Sequence, residues 1–106
     1  MITIIPEYAR HEEIRITRCI IESKNSVAIT LENTGSFDAI LEYISINGVL
    51  PKLGLAPLIT LKPGEKTTIN IDLNYYSLSE FTVGLRYDFI IHTNNKGKYP
   101  ISARTY

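Results

Sequence analysis

The side chains that could carry out chemistry are few in this sequence and lie far apart along it. Cys19 is the only cysteine, so it has no partner for a disulfide and no Cys-x-x-Cys spacing for zinc or redox chemistry. His11-Glu12-Glu13 holds three potential metal ligands, but neighbouring side chains of an extended chain point to opposite sides. We therefore expect an inert, partly buried thiol at Cys19 and a solvated connection at residues 11–13.

His92 is the other side chain with catalytic potential, because it shares the polar face of a strand-like run with Asp88. An Asp-His pair forms a hydrolytic site only with a serine or cysteine nucleophile in a characteristic turn, and no such motif occurs. The glycines form no phosphate-binding pattern. The sequence therefore predicts a protein that is not an enzyme, with no catalytic residue, no metal site and no cofactor.

Composition excludes the classes that depend on a strong overall charge. The chain has 106 residues, with eleven Lys plus Arg against eleven Asp plus Glu, which suits one domain spanning residues 1–106. Lys96, Lys98 and Arg104 gather near Tyr99 and Tyr106, but this group is too small for nucleic-acid binding and predicts a solvated sheet edge. No apolar window reaches the ~18 residues of a membrane span. We expect a soluble domain without nucleic-acid or membrane contact of its own.

Short segments of alternating apolar and polar residues, separated by turn residues, predict an all-β protein. The clearest are residues 27–31, followed by the turn residues 33–36, and residues 69–73, preceded by a Pro-Gly turn at residues 62–65. Residues 81–93 predict one long strand with a bend at Gly84. Its inner face would carry Phe81, Val83, Leu85, Tyr87, Phe89 and Ile91.

Further segments complete the sheet pattern. Residues 14–22 predict a strand with a bulge at Arg18, joined by a hairpin at residues 23–26 to the next strand. Residues 40–46 predict a strand closed by an Asn-Gly turn, and Pro100 places the last strand at a sheet edge. With residues 2–5 added, about seven strands predict an antiparallel two-sheet β-sandwich.

Three segments together resemble one known family. They read VAITLENTGS at residues 27–36, ITLKPGE at residues 59–65, and a strand at residues 87–92 followed by TNNKG. Their order resembles that in the immunoglobulin-like β-sandwich of archaeal cell-surface proteins, namely the globular domains of archaeal type IV pilin-like proteins and of archaellum accessory stator proteins. Each motif alone is an ordinary β turn, whereas the order and spacing over residues 27–106 are moderately specific.

The resemblance implies an immunoglobulin-like fold and a non-enzymatic extracellular domain of a pilus or archaellum subunit or accessory protein. Its partners would be proteins: filament or envelope proteins, or further copies of the same chain. Pilins of this family enter the membrane through a hydrophobic N-terminal helix. The sequence holds no such helix, so an anchor of this kind would lie outside residues 1–106.

Two apolar segments are the candidates for protein contacts. Residues 48–58 form an unusually apolar connection, which either seals an open end of the sandwich or presents Leu53 and Leu55 to a partner subunit. Residues 2–5 form a short apolar strand stopped by Pro6, which pairs within its own sheet or crosses to another subunit. The candidate interaction residues are Val49, Leu50, Leu53, Leu55, Leu58, Ile2 and Ile4.

Two other interpretations are compatible with the same residues. One is a small soluble ligand-binding module, for instance for carbohydrate, in which Tyr75 and Tyr76 would supply a stacking face. Adjacent tyrosines on a strand point to opposite sides, so at most one of them would stack on a sugar. The other interpretation is a viral structural protein.

Overall fold

The structure, a computed structural model, describes residues 12–52, 58–78 and 80–105 of the chain. Seven strands lie in these residues: β1 Ile14–Ser23, β2 Ser26–Asn33, β3 Ala39–Ile46, β4 Ile59–Leu61, β5 Lys66–Asp72, β6 Arg86–Thr93 and β7 Lys98–Arg104. One turn of 3-10 helix, Leu73–Tyr75, follows β5. None of the helical residues described here builds a segment with the length and hydropathy of a membrane crossing.

The strands form two antiparallel sheets on either side of one core. The three-stranded sheet has the order β1-β2-β5, and the four-stranded sheet has the order β4-β3-β6-β7. The connections from β2 to β3, from β4 to β5 and from β5 to β6 pass between the sheets, and β1 packs beside β7 along one side. This arrangement confirms the predicted immunoglobulin-like antiparallel two-sheet β-sandwich. The expected strand at residues 2–5 lies outside the described residues.

Alternation places one side of each strand in the core. Strands from both sheets contribute side chains with no exposed surface, among them Val27, Ile29, Leu31, Leu41, Phe89 and Ile91. Each such side chain stabilises the folded state by roughly 1.5–3 kcal/mol through its burial. The short β-branched and aliphatic side chains of this Ile-rich sequence therefore supply most of the packing between the sheets.

Two β-bulges keep the alternation in phase with the core. The first lies between Ile16 and Arg18 of β1, which confirms the bulge predicted there. The second lies between Leu41 and Tyr43 of β3, so that Leu41 and Ile44 both point inward. An extra residue in one strand moves the side chains that follow it to the opposite face of the sheet. Each bulge therefore returns the apolar side chains that follow it to the core side.

The turns follow their predicted chemistry. At residues 62–65, Gly64 has a φ of 86°, and Glu65 N donates to Lys62 O over 3.0 Å, as a type II turn with Pro-Gly at its centre requires. The hairpin at residues 23–26 and the Asn-Gly turn after β3 are also confirmed. β7 lies at the edge of its sheet, as Pro100 predicted.

The long strand predicted over residues 81–93 is wrong in its first part. β6 begins only at Arg86, because Gly84 adopts a φ of 83° in a turn that Leu85 N closes on Thr82 O over 3.2 Å. The chain therefore turns at Gly84 instead of bending within a strand. Val83 and Leu85, expected on the inner face, are 72% and 53% exposed.

Asn33, at the end of β2, is a fully buried polar residue that joins the two sheets. Its Nδ2 donates to Phe37 O over 2.9 Å and to Leu61 O over 2.8 Å, and its Oδ1 accepts from Gly35 N over 2.8 Å. Its backbone O also accepts from Gly64 N over 2.8 Å. The side chain and backbone of one residue thus fix both predicted turns, residues 33–36 and residues 62–65, beside β4.

The solvated connection expected at residues 11–13 is wrong for Glu12. Its carboxylate accepts hydrogen bonds from Thr93 Oγ1 over 2.5 Å, Asn95 Nδ2 over 3.0 Å and Tyr99 OH over 2.8 Å. We call these four residues the Glu12 cluster. Burial, together with the bond to Glu12, raises the pKa of Tyr99. The chain that enters β1 of one sheet is therefore attached to the β6–β7 hairpin of the other.

Gly97 lies against the Glu12 cluster, where there is no room for a side chain. A Cβ at Gly97 would lie 2.7 Å from Thr93 Oγ1 and 2.9 Å from Tyr99 Cε2, and closer still to the Glu12 carboxylate. The positive φ of this hairpin, 64°, belongs instead to Lys96. Glycine is thus needed at position 97 to admit the Glu12 carboxylate.

Replacing Asn33 with alanine should lower the free energy of unfolding by about 3 kcal/mol, because a buried bond to Leu61 O and part-buried bonds to Phe37 O and Gly35 N are lost. Urea denaturation of the variant measures this loss. Asn70→Ala on the exposed side of β5 is the control and should change stability by less than about 0.5 kcal/mol. Equal effects of the two substitutions would contradict the role given to Asn33.

Replacing Glu12 with alanine should destabilise the fold by about 2 kcal/mol, because three donors lose one charged acceptor. Thermal unfolding followed by circular dichroism provides the measurement. Glu22→Ala, an exposed carboxylate of β1, serves as the matched control and should leave the melting temperature nearly unchanged. A Glu12 variant as stable as the Glu22 variant would show that the cluster does not hold the hairpin.

Candidate functional site

Large apolar side chains remain exposed at several places on the described surface. They are Ile20, Phe37, Leu50, Leu58, Tyr75, Val83 and Leu85. Leu50, Tyr75, Val83 and Leu85 are each more than half exposed and belong to connections at the same end of the sandwich, where β3 and β5 end and β6 begins. We call these four residues the apolar end. Such a concentration on a small domain is typical of a protein contact.

Backbone hydrogen bonds hold the connections of the apolar end to the sandwich. Lys52 N donates to Tyr75 O over 2.7 Å, which joins the connection after β3 to the 3-10 turn. Leu85 O accepts from Thr105 N over 3.1 Å at the end of the chain. The apolar end is thus presented by segments whose backbone is fixed, which lowers the entropy lost when a partner binds.

Aromatic side chains anchor these segments from inside. Tyr76 is buried and donates from its OH to Ile44 O, and burial raises the pKa of Tyr76 to about 12. Phe81 packs edge-on against Tyr87, with ring centroids 4.8 Å apart and planes at 82°. Tyr87 OH in turn accepts from Thr82 N over 2.7 Å. Tyr76 and Phe81 therefore fill the core while the residues next to them point outward.

The residues that the sequence singled out for interaction fall into three groups. Leu50 and Leu58 are 58% and 55% exposed, and Leu58 lies beside β4 at the side of the sandwich. Val49 packs partly against the core and exchanges backbone hydrogen bonds with Ile46, so it helps to seal this end. The remaining four lie outside the described residues: Leu53, Leu55, Ile2 and Ile4.

Sequence reasoning missed Val83 and Leu85 as surface residues, because their alternation with polar neighbours continues unbroken into β6. The one local signal was Gly84, which was interpreted as a bend within a strand and is in fact the turn residue. The tyrosine pair was anticipated better: Tyr75 is 59% exposed and Tyr76 is 6% exposed, so only one ring is available at the surface.

Cys19 occupies the partly buried position that the sequence predicted. It packs against the core, and burial raises the pKa of its thiol to about 11. A thiol with this pKa stays protonated at neutral pH and is a poor nucleophile.

His92 contacts residues of β3 instead of Asp88. Its Nε2 lies 3.1 Å from Ser45 Oγ, and its ring stacks on Tyr43 with centroids 4.2 Å apart. Burial and the nearby charge of Lys98 lower the pKa of His92, opposed by a smaller effect of Glu42. The Ser-His distance suits a nucleophile and a base, but Ser45 is only 1% exposed, so no substrate carbonyl can reach its hydroxyl.

No group of three or more His, Cys, Asp or Glu within residues 12–52, 58–78 and 80–105 is placed to hold a metal ion. The Glu12 carboxylate is already hydrogen-bonded to the β6–β7 hairpin. Asp88 Oδ1 lies 3.4 Å from Arg86 Nε. What the described residues do present is a set of exposed apolar side chains on a β-sandwich.

Neither a protein-family model nor a curated protein matches this sequence. Solved structures do share its fold. The archaellum periplasmic stator protein FlaG from Sulfolobus acidocaldarius superposes with a TM-score of 0.63 at 19% identity, over 88% of this chain and 100% of that chain. A chain of the archaellum periplasmic stator protein complex FlaF and FlaG from the same organism gives a TM-score of 0.62 at 19% identity, over 97% and 98% of the two chains. The β-sandwich described above is thus the fold of archaellum stator proteins, matched over nearly its whole length.

Proposed function

We propose that this chain is a non-enzymatic accessory domain of an archaellum or related archaeal surface filament, which acts outside the cytoplasm through protein contacts. The observation that carries the proposal is the apolar end, where four large side chains are more than half exposed on a fixed backbone. Covering one such side chain fully contributes roughly 1.5–3 kcal/mol before the costs of association are subtracted. Four together can supply the centre of a specific interface.

The fold supports a role in the archaellum. The proteins with the same fold are described as periplasmic stator proteins, and one of them as part of a complex of FlaF and FlaG. They match this chain over almost their full length, so the comparison concerns the whole domain and not a shared substructure. We extend their class of function, though not a particular partner, to this chain.

Four candidate residues outside the described structure stay part of the proposal on the strength of their sequence: Leu53, Leu55, Ile2 and Ile4. Leu53 and Leu55 belong to the apolar connection of residues 48–58, and Ile2 and Ile4 belong to the apolar segment of residues 2–5. Each segment would bury apolar surface against a neighbouring subunit.

A photo-crosslinking residue, benzoylphenylalanine, in place of Val83 should form a covalent adduct with a partner when the chain is expressed in its own cells. The physical reason is that Val83, which is 72% exposed, is the most exposed of the four residues of the apolar end. Mass spectrometry of the adduct identifies the partner. A subunit of the archaellum machinery, or a second copy of this chain, would support the proposed function.

The control for this experiment is the same residue in place of Asn70, which is exposed on the outer side of β5. Adducts of equal yield at positions 70 and 83 would contradict a contact at the apolar end. So would the absence of an adduct at position 83. The double variant Val83→Ser/Leu85→Ser should keep the stability of the parent chain, because both side chains are mostly in water, and should lose the contact.

Deleting residues 1–6 should lower the mass of the assembled protein without unfolding the domain. The segment contains Ile2 and Ile4, and the attachment of Glu12 to the hairpin is retained in the shortened chain. Light scattering before and after the deletion provides the measurement. A protein that is monomeric in both forms would exclude a contact between subunits through this segment.

A further inference from the structure

The outer face of the three-stranded sheet places opposite charges in facing positions. Arg15 of β1 lies directly opposite Glu32 of β2, and Glu32 lies directly opposite Lys66 of β5. Opposite charges facing each other across strands are mildly stabilising. This row of the face therefore alternates in sign.

The outer face of the four-stranded sheet has the opposite arrangement. Arg86 of β6 lies directly opposite Arg104 of β7, and His92 lies directly opposite Lys98. The facing arginines carry like charges, which is destabilising. Asp88 lies near Arg86, but both side chains of that pair are more than 60% exposed, which makes it a weak contact.

The charges of Lys96, Lys98 and Arg104 define the rest of this outer face. Within the described part of the chain, none of these cations is bonded to a carboxylate. Lys98 also helps to lower the pKa of His92, so its positive charge acts on this face. With Arg86, they place two cations at each end of the outer face of β7, and we call this surface the basic face.

A pocket of about 390 Å³ opens at the hairpin end of the basic face. Among the side chains that line it are Glu42, Tyr43, His92, Lys96 and Lys98. The stacked rings of Tyr43 and His92 form one wall, and Ser45 fixes the orientation of the imidazole. The Lys96 and Lys98 side chains line the pocket together with the Glu42 carboxylate, while the Glu12 carboxylate lies behind Gly97, bonded to Thr93, Asn95 and Tyr99. The two exposed ammonium groups are the ones that suit an acidic side chain.

The free edge of β7 is closed to a pairing strand. Pro100 is paired with Ile90 in the register of β6 and β7. In an antiparallel ladder, residues in pairs without hydrogen bonds point their N–H groups away from the partner strand. Proline has no N–H and occupies such a pair, so the donor that it lacks is the one that would point to the free edge of β7. A partner therefore meets the side chains of the outer face and does not extend the sheet.

We propose that the basic face is a docking surface for an extended acidic segment of a partner protein, with one acidic side chain of that segment in the pocket beside His92. Charge complementarity selects this partner, because the face holds four cations against Glu42 and Asp88. The distance from Lys98 to Arg104 is about 20 Å along the strand, which corresponds to about six extended residues of the partner. This surface adjoins the apolar end where Leu85 precedes Arg86, but it consists of different residues on the outer face of the four-stranded sheet, so the inference goes beyond the proposed function.

The test uses the full chain and a synthetic, end-capped peptide of alternating Glu and Ser residues at low ionic strength. Amide chemical shifts in NMR spectra should move in β6, in β7 and around Lys96, and should stay unchanged in β5. The double variant Lys98→Gln/Arg104→Gln should weaken binding about fivefold, since two exposed ion pairs are lost. Retained dispersion of the spectrum verifies that the variant is folded.

The matched control is Lys24→Gln/Lys62→Gln, which changes the net charge equally at exposed positions elsewhere. Equal weakening in both double variants, or shifts spread over the whole surface, would overturn the proposal in favour of non-specific attraction. Duplex DNA and vesicles of anionic phospholipid are tested in parallel, and tighter binding of either to the same face would overturn the assignment to an acidic polypeptide. Tyr75→Ser changes the apolar end at a position after β5 of the other sheet and should bind the peptide normally, so that this proposal and the one for the apolar end fail independently.

Discussion

The buried amide of Asn33 is the constraint on which the architecture depends. An amide without exposed surface must use its donors and its acceptor inside the protein, and Asn33 bonds to groups of Phe37, Leu61 and Gly35. These partners belong to the turn after β2 and to β4 of the opposite sheet. The same side chain thus fixes the path of the chain from one sheet to the other and the end of β4. Within the described residues, no buried polar side-chain atom lacks a hydrogen-bond partner.

The two ends of the sandwich perform different tasks. At one end, the Glu12 carboxylate attaches the chain entering β1 to the β6–β7 hairpin, which joins the outermost strands of the two sheets. At the other end, buried Tyr76 and Phe81 hold connections whose neighbouring apolar residues face water. The two ends thus differ in chemistry: polar bonds fix one, and exposed apolar side chains lie at the other.

The sequence predicted most of the sheet and only part of the surface. Turn residues and proline act through their own backbone preferences, so Pro63-Gly64, the bulge at Arg18 and the edge position of Pro100 could be read locally. Gly84 misled the prediction because a glycine within an alternating run is compatible with a bend or with a turn. Which one forms depends on whether β7 continues opposite residues 81–85, and that is a contact distant in sequence.

By itself, the sequence determined the fold class and the inward face of each strand, because alternation and turn chemistry are local properties of the chain. The tertiary structure alone decided the roles of Glu12, Asn33 and Gly97. Each acts through a partner many residues away, and the register of the strands decides which partners meet. The two outer faces show the same division between local and tertiary information. Each strand by itself carries ordinary scattered charges. The register places Arg15 opposite Glu32 on one face and Arg86 opposite Arg104 on the other, so that facing charges alternate in sign on the first face and the second is basic. Charge across a sheet is a property of register, which a single strand does not contain.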